Sequence, residues 1–211
     1  MRLLLLLLTL IPLASCTTIS RQDQAPAQEA RWQQHLAALQ TLEQWTASGR
    51  IAVKTTDDGG NVRLWWRKTP GRALLRLSAP LGKGVLKLVE QGDRFLLHTP
   101  DGNTLESSNP DSMLLDYTGW HIPVRELRHW MTGQPGTATD YQIDDFGRLA
   151  SLGWRDWTVK FERYSQDIHP ALPTKMVASK ESVRIRVVID DWNHQRAQIN
   201  SERIPLPEGN E

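Results

Sequence analysis

The chain has one cysteine in 211 residues, so no internal disulfide can form and a fold of this size must be held by its apolar core. Neither sign of charge is in excess. The 25 Lys and Arg stand against 24 Asp and Glu with no long single-sign run, which argues against a nucleic-acid partner. After residue 15 there is no apolar stretch of about 18 residues, so no spanning helix is expected there. GxSxG, P-loop and HExxH motifs are missing. The six histidines, His35, His98, His121, His129, His169 and His194, include no pair at the i, i+4 spacing of a helical metal site. The pairs Asp144-Asp145 and Asp190-Asp191 sit at predicted strand ends beside turn or aromatic residues, which suits turn chemistry better than catalysis. No enzyme activity, metal or cofactor is expected.

What the chain does have begins at its start. Arg2 precedes a leucine-dominated run over residues 3–13, and Leu13-Ala14-Ser15-Cys16 follows: a positive start, an apolar tract too short to span comfortably, then small residues. Leu-Ala-Ser-Cys resembles the lipobox of bacterial lipoproteins, whose cysteine is acylated and becomes the first residue after cleavage. The resemblance implies a signal peptide over residues 1–15, lipidation of Cys16 and, because Thr17 rather than an aspartate follows, sorting to the outer membrane with the domain facing the periplasm. Each buried methylene contributes roughly 0.8 kcal/mol and stable anchoring takes more than one chain, a condition that multiple acylation meets. Residues 17–28 show no apolar period and include Pro26, which predicts a flexible tether. At about 3.5 Å per residue it reaches some 40 Å at most.

Residues 29–194 are expected to form a single domain, with a polar tail over residues 195–211. Trp32, Leu36, Leu39 and Leu42 recur at helical spacing, predicting an amphipathic helix from Glu29 that ends before Gly49. Strand signals follow at residues 50–55, 61–68, 72–78, 83–90 and 94–99, separated by short turns. In residues 61–68, Val62, Leu64 and Trp66 share one face while Arg63, Trp65 and Arg67 share the other. Asn109-Pro110-Asp111 reads as an N-cap, a first-turn proline and an early acid, opening a short helix that Gly119 can end. Pro123 opens a second, running to Met131. Strand signals resume at residues 141–144, 148–154, 157–162, 174–179 and 183–189.

Strands joined by such short turns must run antiparallel, which disfavours a parallel α/β arrangement. A sheet this long curls, and the helices are available to cover its concave face, giving a barrel-like, mainly β fold with a lid. Periodicity does not say whether the interior is solid or hollow. Ile51, Val62, Leu64, Trp66, Leu75, Leu77, Met113, Leu114, Leu127 and Met131 face it, either filling a core or lining an apolar cavity. In Ser78-Ala79-Pro80-Leu81-Gly82-Lys83-Gly84 the glycines allow unusual backbone angles and place Leu81 at a turn tip, where it folds back or projects towards something apolar. Nine tryptophans suit interfaces as well as cores. Trp65 points away from the core.

Together the pieces resemble the outer-membrane lipoprotein LolB family. The likeness rests on Leu-Ala-Ser-Cys at 13–16, Trp32-Gln33-Gln34-His35, Gly49-Arg50, Trp66 and Ala79-Pro80-Leu81-Gly82. It continues through Pro123-Val124-Arg125-Glu126-Leu127-Arg128-His129-Trp130-Met131-Thr132-Gly133, Gly136-Thr137-Ala138-Thr139-Asp140-Tyr141 and Asp190-Asp191-Trp192. It implies a curved antiparallel sheet forming an incomplete β-barrel, with helices over its open side and an apolar cavity. It further implies a receptor, with no cofactor, that accepts the acyl chains of lipoprotein cargo from the periplasmic carrier LolA and inserts the cargo into outer-membrane lipid. Leu81 aligns with the family's membrane-inserting loop residue, and a monomer is expected. The alternative is an outer-membrane lipoprotein that binds another ligand or scaffolds an envelope assembly.

Overall fold

The computed structural model describes residues 21–79 and 84–196, so Cys16 and Leu81 lie outside the described residues. The first helix, α1 (Arg21–Gln40), starts eight residues before the expected position and contains Pro26. Residues 21–28, read as tether for lack of an apolar period, are rich in Ala and Gln; helix propensity does not need an apolar face. Gln28 holds this part to the domain, its side-chain amide donating to the carbonyls of Ile143 and Asp144 at 3.1 and 3.0 Å. Trp32 and Leu39 are fully buried.

α1 ends where β1 (Leu42–Lys54) begins, so Leu42 belongs to a strand rather than to the helix. A register shift between Leu42 and Gln44 lets Leu42 and Trp45, three residues apart, both point inward. That irregularity imitates helical spacing. β2 (Gly59–Thr69), β3 (Arg72–Ser78), β4 (Val85–Gln91) and β5 (Arg94–His98) fall close to their expected places. β6 (Thr104–Ser107) is an additional, exposed edge strand.

The chain then forms α2 (Pro110–Thr118), with the Asn109 side chain accepting from the Ser112 amide at 3.3 Å and Gly119 closing it at φ 73°, and α3 (Val124–Met131). β7 (Asp140–Ile143), β8 (Leu149–Trp154), β9 (Trp157–Tyr164), β10 (Pro173–Lys180) and β11 (Val183–Arg196) complete it. β11 outruns its expected end because residues 190–196 continue the ladder with β1, through to Leu42 opposite Arg196.

The eleven strands among the described residues form one antiparallel sheet in the order β6-β5-β4-β3-β2-β1-β11-β10-β9-β8-β7. The sheet is open, with β6 and β7 at its two edges. The chain therefore walks outwards from the centre to β6, crosses to the far edge and walks back. α2 and α3 make that crossing, which is why they lie over the concave face.

Candidate functional site

The concave face is a continuous apolar surface set by strand register. One row runs Leu97, Leu88, Leu75, Trp66, Ala47 and Trp192; the next runs Leu86, Leu77, Leu64, Gly49 and Ile189. A third passes from Val62 through Ile51, Val187 and Met176 to Phe161. Gly49 leaves the second row open for a reason of fit: a Cβ there would run into the Val188 carbonyl oxygen.

α2 contributes Met113 and Leu114 to the same core, and α3 contributes Val124, Leu127, Trp130 and Met131. Tryptophans join the parts. Trp45 meets Trp66 and Trp192 edge-on at 5.9 and 5.6 Å between centroids, while Trp130 of α3 lies 6.4 Å from Trp157 and 5.9 Å from Trp154. The Trp130 indole N–H is buried with no hydrogen-bond partner among the described residues.

All ten residues predicted to face the interior meet in this one cluster, nine buried and Val62 half-buried against it. Depressions border the cluster as well as lying away from it: one of about 280 Å³ is lined by Asp111, Leu115, Pro123, Trp154 and Trp157 at the edge of the cover, and one of about 260 Å³ by Leu39, Leu42, Trp45 and Arg128. A larger one of about 770 Å³ is bordered by Arg31, His35, Phe146, Arg148 and His169, and another of about 500 Å³ lies on the convex side. Of the ten, Leu64 alone borders one of them. Trp45, Phe95, Trp157 and Trp192 belong to the same interior but were not singled out. Their strand alternation was the available signal, obscured in Trp45 by the register shift.

Polar contacts fasten the cover. Arg128 of α3 pairs with Glu90 of β4. Arg125 donates to the Ser108 carbonyl at 2.8 Å and stacks on Phe95 at 4.8 Å, so neither arginine of α3 is a free solvated charge. Asp111 of α2 accepts from the Val124 amide at 2.9 Å, tying the two helices together. Burial raises its pKa above the ordinary carboxylate value, against the pull of those amide bonds. In the first turn of α3, Glu126 accepts from the Thr137 hydroxyl at 2.9 Å, and just beyond the helix Gln134 donates to the Leu39 carbonyl of α1 at 3.4 Å. His129 is held below its ordinary pKa by burial first and by Arg128 second.

One aspartate of each pair makes a structural contact. Asp144 accepts two bonds from Arg148, at 2.9 and 2.7 Å, and caps a turn through the Phe146 amide; Asp190 pairs with Arg50 at 2.9 Å. Among the described residues no group of three or more His, Cys, Asp or Glu is placed to hold a metal.

A profile of the family described as "Outer membrane lipoprotein LolB" matches residues 43–192, which run from the second residue of β1 to the buried Trp192. The chain belongs to the outer-membrane lipoprotein LolB family. Proteins named outer-membrane lipoprotein LolB agree along almost its whole length. The one from Serratia proteamaculans is 35% identical over 88% of this chain and 95% of its own. That from Yersinia enterocolitica is 34% identical over 89% and 94%, and that from Nitrosococcus oceani 30% over 90% and 96%. Membership makes the chain an outer-membrane lipoprotein with a receptor role in lipoprotein localisation, in a lipoprotein-trafficking family. The fold extends further than the family: a LolA superfamily protein from Nitrosomonas europaea shares it at TM-score 0.50 and 11% identity, over 78% of this chain and 93% of that one.

Proposed function

We propose that this LolB-family chain receives the acyl chains of lipoprotein cargo from the periplasmic carrier LolA, shelters them between its concave sheet and the α2–α3 cover, and releases the cargo into the outer membrane. Cys16 carries the acyl anchor, and Leu81 is the apolar loop residue that enters lipid during release. The supporting observation is the unbroken apolar face from β5 to β9 beneath a cover fastened by polar contacts. Those contacts can break and re-form in water, whereas the apolar face attracts hydrocarbon whenever it is uncovered.

In the closed arrangement the interior is occupied by its own side chains, so cargo enters only as α2 and α3 lift. Met113 and Met131 are suited to re-pack around a chain of variable shape. The energetics constrain the route. Hydrocarbon burial is worth about 0.8 kcal/mol per methylene, so a carrier and a receptor that each bury whole chains hold them strongly. Transfer between them needs only a small difference, about 1.4 kcal/mol per tenfold preference. No nucleotide-binding motif is present in the sequence to drive a step, and the proposed path runs downhill from carrier to receptor to bilayer.

The test is transfer of a radiolabelled lipoprotein from purified carrier to the acylated chain and on to vesicles. Transfer that depends on the chain supports the proposal. A folded chain that takes no label from the carrier, and does not compete for an acylated peptide bearing an environment-sensitive dye, supports the scaffold alternative.

A further inference from the structure

The convex side of the sheet, turned away from the core, gathers more cations than carboxylates across β2 to β4, with the exposed Asp190 and Asp191 of β11 at its margin. Arg63 and Arg67 of β2, Arg76 of β3 and Lys87 of β4 are exposed there. The only acid in these three strands, Glu90, turns inward to Arg128. Register makes the patch contiguous, with Ser48, Trp65, Arg76 and Lys87 opposite one another in one row and Arg50, Arg63 and Ser78 in the next.

Arg50 and Arg63 thus face each other directly across β1 and β2, an arrangement that destabilises a sheet when the charges are alike. Asp190 offsets Arg50 at 2.9 Å, while Arg63 has no ion-pair partner among the described residues. In the first row sits the half-buried Trp65 ring, with the Arg67 and Arg76 guanidinium groups 5.2 and 5.5 Å from its centroid. Ser48, Arg50, Arg63, Trp65, Ser78 and the Arg50-paired Asp190 border the depression of about 500 Å³.

The geometry points to this face as a docking surface for the anionic phospholipid headgroups of a membrane, with a headgroup phosphate received beside Arg63 and the Trp65 ring at the level of the interface. Three observations favour lipid over a protein partner. Tryptophan combines an apolar body with a polar edge and is favoured at membrane boundaries. Clustered Arg and Lys beside an anionic bilayer strengthen attachment electrostatically. The bilayer is also within reach of the domain, because only four residues lie between Cys16 and the start of α1, at most about 18 Å of chain. This inference rests on the lipid anchor proposed above.

The acylated full-length mature chain is reconstituted into phosphatidylcholine vesicles with and without phosphatidylglycerol, using lipids brominated near the headgroup to quench tryptophan. The expected result is extra quenching with phosphatidylglycerol that Trp65→Phe removes, that falls severalfold in Arg63→Gln/Arg76→Gln and with added salt, and that Arg63→Lys/Arg76→Lys retains. Leu81→Glu keeps it, so a failure of delivery is distinguishable from a failure of docking, and acylation of Cys16 is read separately from the mass of the N-terminal peptide. Quenching that is unchanged by Trp65→Phe, equal without phosphatidylglycerol, or present only once purified carrier is added overturns the inference.

Discussion

Arg128 of α3 and Glu90 of β4 form an ion pair between the cover and the sheet, their side chains only 22% and 19% exposed. A pair this far out of water is costly to break one-sidedly, because the remaining charge keeps its burial and loses its partner. Glu90→Gln is expected to lower stability by roughly 1–3 kcal/mol and to speed uptake of an acylated dye-peptide by loosening the cover. Denaturant titration and stopped-flow fluorescence check the two effects. Slower uptake in the variant would show that this pair does not hold the cover down.

Gly49 supplies a prediction about packing rather than motion. Its missing side chain admits the Val188 carbonyl at the register shift between β1 and β11, both of which are backbone features that cannot swing aside. Gly49→Ala is expected to cost about 2–4 kcal/mol. Gly60→Ala should cost less, because its Cβ would meet only the ring edge of Trp120, at 2.7 Å, and a side chain can move. Thermal or denaturant unfolding of both variants gives the comparison.

The two lowered histidines predict how stability responds to acid. Burial is the main cause for both, followed by Arg128 for His129 and Arg148 for His35, so each folded-state pKa lies below the ordinary 6.5. The unfolded chain then binds protons more readily, and stability is present above that value and declines as pH falls below it. Asp111 acts with the opposite sign and in a lower window. Burial raises its folded pKa above the ordinary 3.8, so acid relieves a penalty there. Denaturation midpoints measured from about pH 7 down to pH 5 should fall for the parent chain and fall less for His129→Gln and His35→Gln. Equal slopes in all three would refute the assignment.

Leu81→Glu separates the two halves of the proposed cycle. The cover and the concave face are untouched, so uptake of cargo from the carrier should be retained while delivery to vesicles drops. Both steps are read in the same transfer assay. Equal loss of uptake would place Leu81 in binding rather than in release.

The sheet was largely legible in the sequence because its strands alternate cleanly between a buried and a solvated face. Val62, Leu64 and Trp66 against Arg63, Trp65 and Arg67 show this at its plainest, and the caps at Asn109 and Gly119 marked α2. Reading failed where local pattern and partner disagreed. The register shift at Leu42 and Gln44 gave β1 the apolar spacing of a helix, and residues 190–196, the last two of them read as polar tail, carry no strand alternation to mark them until β1 is alongside. β6 buries too little to alternate, with Leu105 44% exposed. For the site, periodicity identified the residues that face inward and the structure gathers all ten. Facing does not encode whether hydrocarbon can displace them, because that depends on how α2 and α3 are fastened by distant groups such as Glu90 and Leu39.

The most direct test of acyl-chain shelter beneath the cover is photo-crosslinking with a lipoprotein carrying a diazirine in its acyl chain, followed by peptide mapping. The account predicts label on concave-face and cover residues, Trp66, Leu75, Leu127 and Met131 among them. Label confined to the depression between Arg31, His35, Phe146 and His169, or to the convex strands, would contradict it.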